Sequence, residues 1–450
     1  MTFMHTLRFV VAGTLLAPAL TLSAQNRPPI RPLGQVTATT SDTLTAVSNI
    51  RAIPGGRLLV NDAASRRVLL LDSTMKVLAV VADSTPSTAN AYGPRSALLL
   101  PFRGDSTLFI DAASLSMLVI DPNGKLTDRV MSVPRSGDAS MLALGAIGSG
   151  AFYSNGALVY RGMPNFQMQM RSGGSGAPAG LPAMPQLPDS MPIVRVNLQT
   201  RAVDTLGQVK IPRTRPNVQR SDDGRITVSI EINPLPVVDE WTVTSTGDVA
   251  FIRGSDYHID WVSSTGERRS SPKIAFDWKR LSDDDKVKLI DSVRVLREKM
   301  AAANPGQGQQ MAAAVGAAMG APGGATGGAP MMIRMEVRGD GGGGAPPTRM
   351  PQIQAPQMTY VSPSELPDYQ PPFFATSARA DEDGNIWIRT IPTKPQPAGS
   401  VYDVINSKGE AIDRVLVPDG RTLVGFAPGG VVILSWRDGD VTRLERVKLR

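Results

Sequence analysis

Two stretches of this chain, 57-RLLVNDAASRRVLLLDSTMKVL-78 and 107-TLFIDAASLSMLVIDPNGKL-126, carry the same pattern. In each, an apolar run leads to Asp-Ala-Ala-Ser, a second apolar run ends at an aspartate turn, and a third run follows. Asp62 and Asp111 are 49 residues apart, and so are Asp72 and Asp121. Short apolar runs that return at a fixed period predict a fold built from repeated small sheets.

The same unit returns from Gly247 and from Gly384, with a weaker copy near 151–206 and a last one from Arg421. Its second turn falls at Asp72, Asp121, Asn197, Ser263, Asn406 and near Arg437. Two insertions, 162–191 and 277–365, lengthen the later intervals. Without them the period is roughly 45–55 residues, the size of a four-stranded blade. The sequence therefore predicts an all-β protein, a six-bladed β-propeller.

The way in which the ring closes is also predicted. The last unit has room for three strands, over 421–427, 430–437 and 440–448. The segment 34–47, "GQVTATTSDTLTAV", precedes the first unit and is rich in β-branched residues. We expect this N-terminal segment to supply the missing outer strand, because a propeller that joins its ends leaves no open sheet edge.

The repeats resemble the blades of six-bladed propellers of the NHL and YVTN kind. The resemblance lies in "GGRLLVNDAASRRVLLLDSTMKVL", "GDSTLFIDAASLSMLVIDPNGKL" and "DEDGNIWIRTIP" with "YDVINSKGEAI". It covers roughly 34–276 and 366–450. The Asn-x-Arg that commonly follows the aspartate turn in such blades is reduced here to "ASRRV". Such families include scaffolds, binders of peptides or glycans, and a few enzymes, so the resemblance implies a fold and leaves the function open.

Residues 1–24 are typical of a secretory signal peptide, with one arginine before an apolar stretch that ends in "SAQ". Residues 25–33 are expected to be a linker. No other segment is long and apolar enough to span a membrane, so the mature chain is predicted to lack a transmembrane span and to be periplasmic or secreted. The net charge is +7 and cysteine is absent, which excludes disulfides and thiolate sites. No dense basic cluster suggests nucleic acid as a partner.

The insertion at 277–365 separates predicted blades 1–4 (34–276) from blades 5–6 (366–450). A helix is predicted at about 281–303, with Ser282 and Asp285 as a capping box. Its apolar stripe is expected to comprise Val287, Ile290, Val293, Leu296 and Met300. The helix either packs on the side of the propeller or binds a partner. The Gly/Ala/Pro/Met-rich segment 305–358 has few large apolar residues and is predicted to be disordered.

Arginines near the first strands of the units are the candidate ligand-binding residues. Inner strands and the loops that enter them surround a propeller's central channel, and arginines there would attract carboxylates or phosphates. Tyr369, in the aromatic and proline-rich entry "LPDYQPPFF", is a further candidate for a pocket at the rim. The predicted ligand-binding residues are Arg51, Arg95, Arg103, Arg379 and Tyr369.

The chain also contains candidate metal-binding and nucleophilic residues. Asp62 and Asp111 either stabilise their own turns or provide carboxylates for calcium or acid–base chemistry. Met168 and Met170 are candidate Cu(I) ligands. His258 lies between Asp256 and Asp260 without a nucleophile motif, which favours a hydrogen-bonded histidine over a catalytic one.

The function that the sequence favours is that of an exported binding or scaffold propeller without a cofactor, rather than an enzyme. Its partner would be a peptide, a glycan or another protein, held at the channel mouth or by the insertion. Two alternatives remain at this point. One is a metal-assisted hydrolase or lyase that uses channel carboxylates, and the other is Cu(I) binding by the methionine-rich loops.

Overall fold

The computed structural model describes residues 27–94, 97–111, 113–134, 142, 151–162, 188–213, 215–220, 226–303, 357–394 and 398–449. Its strands form six blades around a ring, so the six-bladed β-propeller is confirmed. Blade 1 consists of β3 (Val47–Ile53), β4 (Arg57–Asp62), β5 (Arg67–Leu71) and β6 (Val77–Ala82). Blade 2 consists of β7 (Ala97–Pro101), β8 (Thr107–Asp111), β9 (Ser116–Ile120) and β10 (Leu126–Ser132).

The next two blades follow the same antiparallel order from the centre outward. Blade 3 consists of β11 (Phe152–Ser154), β12 (Ala157–Arg161), β13 (Ser190–Asn197) and β14 (Val203–Lys210). Blade 4 consists of β17 (Glu240–Val243), β18 (Val249–Arg253), β19 (His258–Val262) and β20 (Arg268–Ser270). The weak repeat near 151–206 is therefore a complete blade whose second and third strands flank the insertion at 162–191.

The last two blades take strands from both ends of the chain. Blade 5 consists of β22 (Phe373–Ala380), β23 (Ile386–Thr390), β24 (Gly399–Ile405) and β25 (Ala411–Pro418), with β1 (Ile30–Pro32) added in parallel at its outer edge. Blade 6 consists of β26 (Arg421–Ala427), β27 (Val431–Asp438) and β28 (Val441–Lys448), with β2 (Val36–Thr39) as its outer strand.

The strand β2 confirms the predicted closure. It pairs antiparallel with β28, and the Thr40 N–H donates to the Leu444 carbonyl at 2.9 Å. The buried Thr40 hydroxyl accepts the Leu444 N–H, also at 2.9 Å. Because β2 completes blade 6, that blade has no chain turn between its third and outer strands. The turn near Arg437 therefore joins the second and third strands, one place earlier than the corresponding turns of the other blades.

The core is divided among the six interfaces between neighbouring blades. One apolar cluster joins blades 1 and 2 through Leu59 and Phe109, and the last joins blade 6 back to blade 1 through Ile433 and Leu58. Four further clusters join the blades in between, and a small one that includes Ile290 and Val361 packs helix α1. The centre of β4, Leu58–Val60, is apolar on both faces because a neighbouring blade covers each of them.

Polar turns repeat at the outer hairpins. Asp72 Oδ1 accepts the N–H groups of Thr74 and Lys76 at 2.8 and 3.0 Å. Asn406 Oδ1 accepts those of Lys408 and Glu410 at 2.9 and 3.0 Å. A short side chain that accepts the backbone donors of its own turn explains why Asp or Asn returns at these positions.

The predicted linker 25–33 is in part a structural element, because β1 pairs with β25. Just before β1, the Arg27 guanidinium contacts Asp277 at 2.7 Å and the almost fully buried Asp403 at 3.7 Å. Asp403 also accepts a hydrogen bond from the Tyr257 hydroxyl at 3.1 Å, which links blade 5 to blade 4. The N-terminal segment thus fastens two blades as well as closing the ring.

A smaller unit accompanies the propeller. It contains a sheet of β15 (Arg215–Arg220), β16 (Ile226–Ile232) and β21 (Gln357–Tyr360), and the helix α1 (Asp283–Ala303). The hairpin β15–β16 was not predicted from the sequence. The strand β21 includes residues 357 and 358, which were predicted to be disordered, while 305–356 lie outside the described residues. Connections that follow the fourth strand of a blade leave at one end of the ring, so β15–β16 and α1 emerge on the same face.

Helix α1 begins with the predicted capping box. The Ser282 hydroxyl accepts the Asp285 N–H at 3.2 Å, and the Asp285 carboxylate accepts the Ser282 N–H at 3.1 Å. The predicted apolar stripe is only partly right, because Ile290 is buried whereas Val287 and Leu296 are exposed. The buried face instead includes the stem of Lys286, whose ammonium group reaches Asp368 at 2.8 Å. Among the described residues no helix is long and apolar enough to cross a membrane.

The closure can be tested with one buried and one exposed threonine of the same segment. Thr40→Val removes the acceptor of the buried Leu444 N–H, and we expect a loss of about 1–3 kcal/mol in the free energy of unfolding. Thr37→Val removes an exposed hydrogen bond to the Arg446 carbonyl and should change stability by less than about 0.5 kcal/mol. Urea unfolding of both variants measures the difference. Equal effects would contradict the importance of this contact for closure.

Candidate functional site

Three arginines lie deep in the ring and are still partly accessible to water. They are Arg51 on β3, Arg379 on β22 and Arg161 at the end of β12. Burial is the main cause that lowers the pKa of each guanidinium below its ordinary value. Arg51 and Arg379 lie on the innermost strands of blades 1 and 5, the strands that surround the centre of a propeller, and Arg161 ends the second strand of blade 3. Arg51 and Arg379 were predicted as ligand-binding residues, whereas Arg161 was not.

A buried carboxylate faces two of these arginines. Glu240, the first residue of β17, is 1% exposed. Its carboxylate accepts hydrogen bonds from the backbone N–H groups of Thr376 and Ala378, and the charges of Arg161 and Arg379 act on it. Burial outweighs these favourable contacts and raises the pKa of Glu240 to about 7. The group is therefore close to half protonated near neutral pH.

An irregularity in β22 brings these backbone donors to Glu240. The register against β23 shifts between Phe373, opposite Thr390, and Ala378, opposite Ile388. Within the shifted segment Thr376 has a φ of 68°, in the left-handed region that few residues with a side chain adopt. Such bulges bend an edge strand and redirect its groups. Here the bulge directs the N–H groups of β22 toward β17 of the neighbouring blade.

More positive charge is present than the one carboxylate balances. Arg389 on β23 acts on Arg379 as a like charge and lowers its pKa, while Glu240 acts in the opposite direction. Burial raises the pKa of Tyr402 on β24, and the charges of Arg389 and Arg379 oppose this shift. We call Arg161, Glu240, Arg379, Arg389 and Tyr402 the channel cluster. At neutral pH it carries three guanidinium groups and one partly protonated carboxyl group.

Several polar atoms of this region have no protein partner. Among the described residues, Glu240 Oε2, Thr242 Oγ1, Ser377 Oγ and Arg161 Nε are buried without a hydrogen bond. Thr242 follows Glu240 by two residues on β17, so both side chains point to the same face of the strand. Ser377 lies in the bulge of β22. Buried polar groups are nearly always hydrogen-bonded, and a concentration of unpaired ones indicates a place for water or a ligand.

Arg51 belongs to a second, more open charged group. Its guanidinium donates to the Ala52 carbonyl, its Nε has no partner, and its charge interacts with Glu382 and Asp105. Burial raises the pKa of Glu382, while the charge of Arg51 opposes that shift. Because the acidic residues outnumber the arginine, this group carries no excess of positive charge.

The remaining predicted ligand-binding residues lie elsewhere. Arg103 is exposed in the turn between β7 and β8, where its Nε donates to the Tyr153 hydroxyl at 2.7 Å. Tyr369 is half exposed and pairs with Arg280 beside helix α1. Arg95 lies outside the described residues. The structure does not bring Arg103 or Tyr369 to the channel cluster, because both belong to connections rather than to innermost strands.

The two aspartates of the repeated Asp-Ala-Ala-Ser have different partners. Asp111 accepts the N–H groups of Ala113 and Ser114 in its own turn, both at 3.2 Å. Asp62 instead accepts the N–H groups of Thr45 and Ala46, at 3.0 and 2.8 Å, and pairs with Arg67. Its oxygens hold the segment that enters β3, which corrects the expectation that Asp62 caps its own turn. Met168 and Met170 lie outside the described residues.

His258 is hydrogen-bonded at both ring nitrogens, to Asp256 at 2.7 Å and to Asp260 at 3.2 Å. Asp260 also accepts hydrogen bonds from the Arg253 guanidinium at 2.8 Å and from the Ser270 hydroxyl. This arrangement is a hydrogen-bonded chain at the edge of blade 4. In the part of the chain that the structure describes, no three His, Asp or Glu side chains are placed to hold a metal ion.

No protein-family model and no curated protein matches the chain. Among solved structures, it is similar to virginiamycin B lyase from Staphylococcus aureus, with 9% identity over 92% of this chain and 99% of that one, and a TM-score of 0.36. A member of the DUF4221 family from Bacteroides vulgatus is 8% identical over 95% and 99%, with a TM-score of 0.41. A calcium-binding regucalcin from Agrobacterium tumefaciens is 12% identical over 94% and 98%, with a TM-score of 0.35. Similarities this distant assign neither ligand nor activity.

The charge state of Glu240 can be determined from the way in which the free energy of unfolding depends on pH. Its pKa is raised from 4.5 to about 7 on folding, so its favourable contribution is present at low pH and is lost as pH rises through the folded value. The difference in unfolding free energy between Glu240→Gln and the wild type should therefore change by about 2–3 kcal/mol in favour of the variant when the pH is raised from 5 to 8. Urea unfolding at both pH values measures it, with the exposed Glu267→Gln as control. If the unfolding free energies of the variant and the wild type differed by the same amount at both pH values, the raised pKa of Glu240 would be contradicted.

Proposed function

We propose that the chain is an exported binding propeller whose central channel holds a carboxylate group of its ligand. The observation that carries this proposal is the excess of positive charge in the channel cluster, whose arginines are only partly accessible to water. Arg161 and Arg379 act on a single carboxyl group, Glu240, whose pKa is about 7, and Arg389 adds a third positive charge beside Arg379. An excess of charge away from bulk water is unfavourable unless a counter-ion is bound, and guanidinium groups bind carboxylates with directional hydrogen bonds.

The polar atoms without partners support the same proposal. Thr242 Oγ1 and Ser377 Oγ are neutral donors in the same region as the arginines, and Arg161 Nε has a free N–H. A bound carboxylate has about four lone-pair directions, which these donors would satisfy. The metal-assisted alternative has no comparable support in the described residues, because carboxylates do not converge there in the number that a metal would need.

The shape of the molecule allows two sources of such a carboxylate. The hairpin β15–β16 and helix α1 leave the propeller on one face of the ring, on the side of one mouth of the channel. The C-terminus of a peptide and an acidic sugar each present a carboxylate on a narrow end that could enter. The proposed function therefore fixes the chemistry of the anchoring group and leaves its source to experiment.

Binding can be measured by calorimetry with paired probes. Acetyl-Ala-Ala with a free C-terminus is compared with its amide, and glucuronate is compared with glucose. We expect the carboxylate member of one pair to bind while its neutral counterpart does not. Equal affinity of the two members in both pairs, or no binding of any probe, would contradict the proposal.

Substitution of the arginines provides the second test. Arg161→Gln and Arg379→Gln each remove a charged donor, and the dissociation constant of the carboxylate probe should rise about tenfold or more. Arg437→Gln is the matched control, because Arg437 is exposed at the end of β27 and reaches only the Asp440 carbonyl. Unchanged affinity in both channel variants, with their folds intact by circular dichroism, would place the binding site elsewhere.

A further inference from the structure

Glu240 is a feature that carboxylate binding by itself does not require. A site selective for anions would be stronger without a carboxyl group among its arginines, because like charges within a few ångströms repel. Yet Glu240 is 1% exposed, faces both Arg161 and Arg379, and has one oxygen without a partner. A ligand carboxylate that approaches these arginines therefore also approaches Glu240 Oε2.

Two carboxyl groups that share one site cannot both remain ionised, and one of them retains a proton. Resting on the proposed function, we propose that the channel binds its carboxylate ligand together with one proton, shared between the ligand and Glu240 Oε2. The hydrogen bonds from Thr376 and Ala378 hold the Glu240 side chain while Oε2 is free to carry the proton. The O–H then donates to the ligand, so a repulsive contact becomes a hydrogen bond.

The groups around Glu240 are consistent with this role. From β12 it faces Arg161, and from β22 it faces Arg379 and the two N–H groups. The opposite residue on β18 is the apolar Ile252. The adjacent Asp239 is engaged by Arg253 at 2.8 Å, so its charge is already paired. Asp239 is therefore occupied, and Glu240 is the carboxyl group of the cluster that can share a proton with a ligand.

The expected proton uptake follows from the charge of the free protein. Burial raises the pKa of Glu240 to about 7. At pH 8 the Glu240 side chain of the free protein is therefore mostly ionised, and it must gain a proton when the ligand binds. At pH 6 it is mostly protonated already. Uptake should be about 0.9 proton per ligand at pH 8 and about 0.1 at pH 6. Affinity should accordingly fall by several-fold to about tenfold between pH 6 and pH 8.

The experiment is calorimetry of the wild-type chain with acetyl-Ala-Ala and with glucuronate at pH 6, 7 and 8. Each titration is repeated in phosphate and in Tris buffer, whose ionisation enthalpies differ. The dependence of the observed enthalpy on the buffer gives the number of protons taken up, and this measurement needs no variant. Uptake that is near zero at every pH while a carboxylate probe binds would overturn the proton-sharing proposal and leave the proposed function intact.

Failure of both probes to bind at every pH would instead overturn the proposed function, and the proton-sharing proposal with it. Glu240→Gln keeps the shape of the side chain and cannot take up a proton, so its binding should be independent of pH between 6 and 8. Glu382→Gln is the control, because Glu382 is an exposed carboxyl group whose pKa is also raised and whose main charged partner is Arg51 rather than an arginine of the channel cluster. Uptake that persists in Glu240→Gln or disappears in Glu382→Gln would contradict the assignment to Glu240.

Discussion

Closure of the ring by β2 is the contact on which the rest of the structure depends. Each blade covers its faces against two neighbours, so blades 1 and 6 each leave one face uncovered until they pack on one another. The outer strand of blade 6 comes from the other end of the chain, and the Thr40 side chain and backbone fix it to β28. The channel is formed by the innermost strands of all six blades, and therefore exists only in the closed ring.

Closure also explains how charged groups are tolerated at the centre. Glu240 belongs to blade 4, its backbone donors and Arg379 to blade 5, and Arg161 to blade 3. A carboxyl group buried without these partners would cost several kcal/mol, so its position requires three blades to be held in register. The apolar clusters on either side of β17 supply that rigidity, since they pack blade 3 on blade 4 and blade 4 on blade 5.

The sequence predicted the architecture better than the site, for physical reasons. Turn residues such as Asp72 and Asn406 act within a few positions of themselves, so their spacing reveals the blades directly. The closing strand was predictable because three strands leave an edge that must be covered. The hairpin β15–β16 was missed because it lies between two blades and does not repeat. The positions of Arg51 and Arg379 on innermost strands could be predicted because those strands open each repeated unit, whereas Glu240 and Arg161 carry no local pattern.

The bulge in β22 shows why such a site escapes a sequence pattern. Glu240 gains its two N–H donors because several residues of β22 depart from the ladder, and Thr376 adopts a left-handed φ there. A strained conformation of this kind persists only where the surrounding structure imposes it. Stability alone would favour an apolar residue in place of a buried carboxyl group with an unpaired oxygen. The left-handed Thr376 and the buried Glu240 are thus features that stability does not explain, and the proposed binding of a carboxylate ligand rests on them.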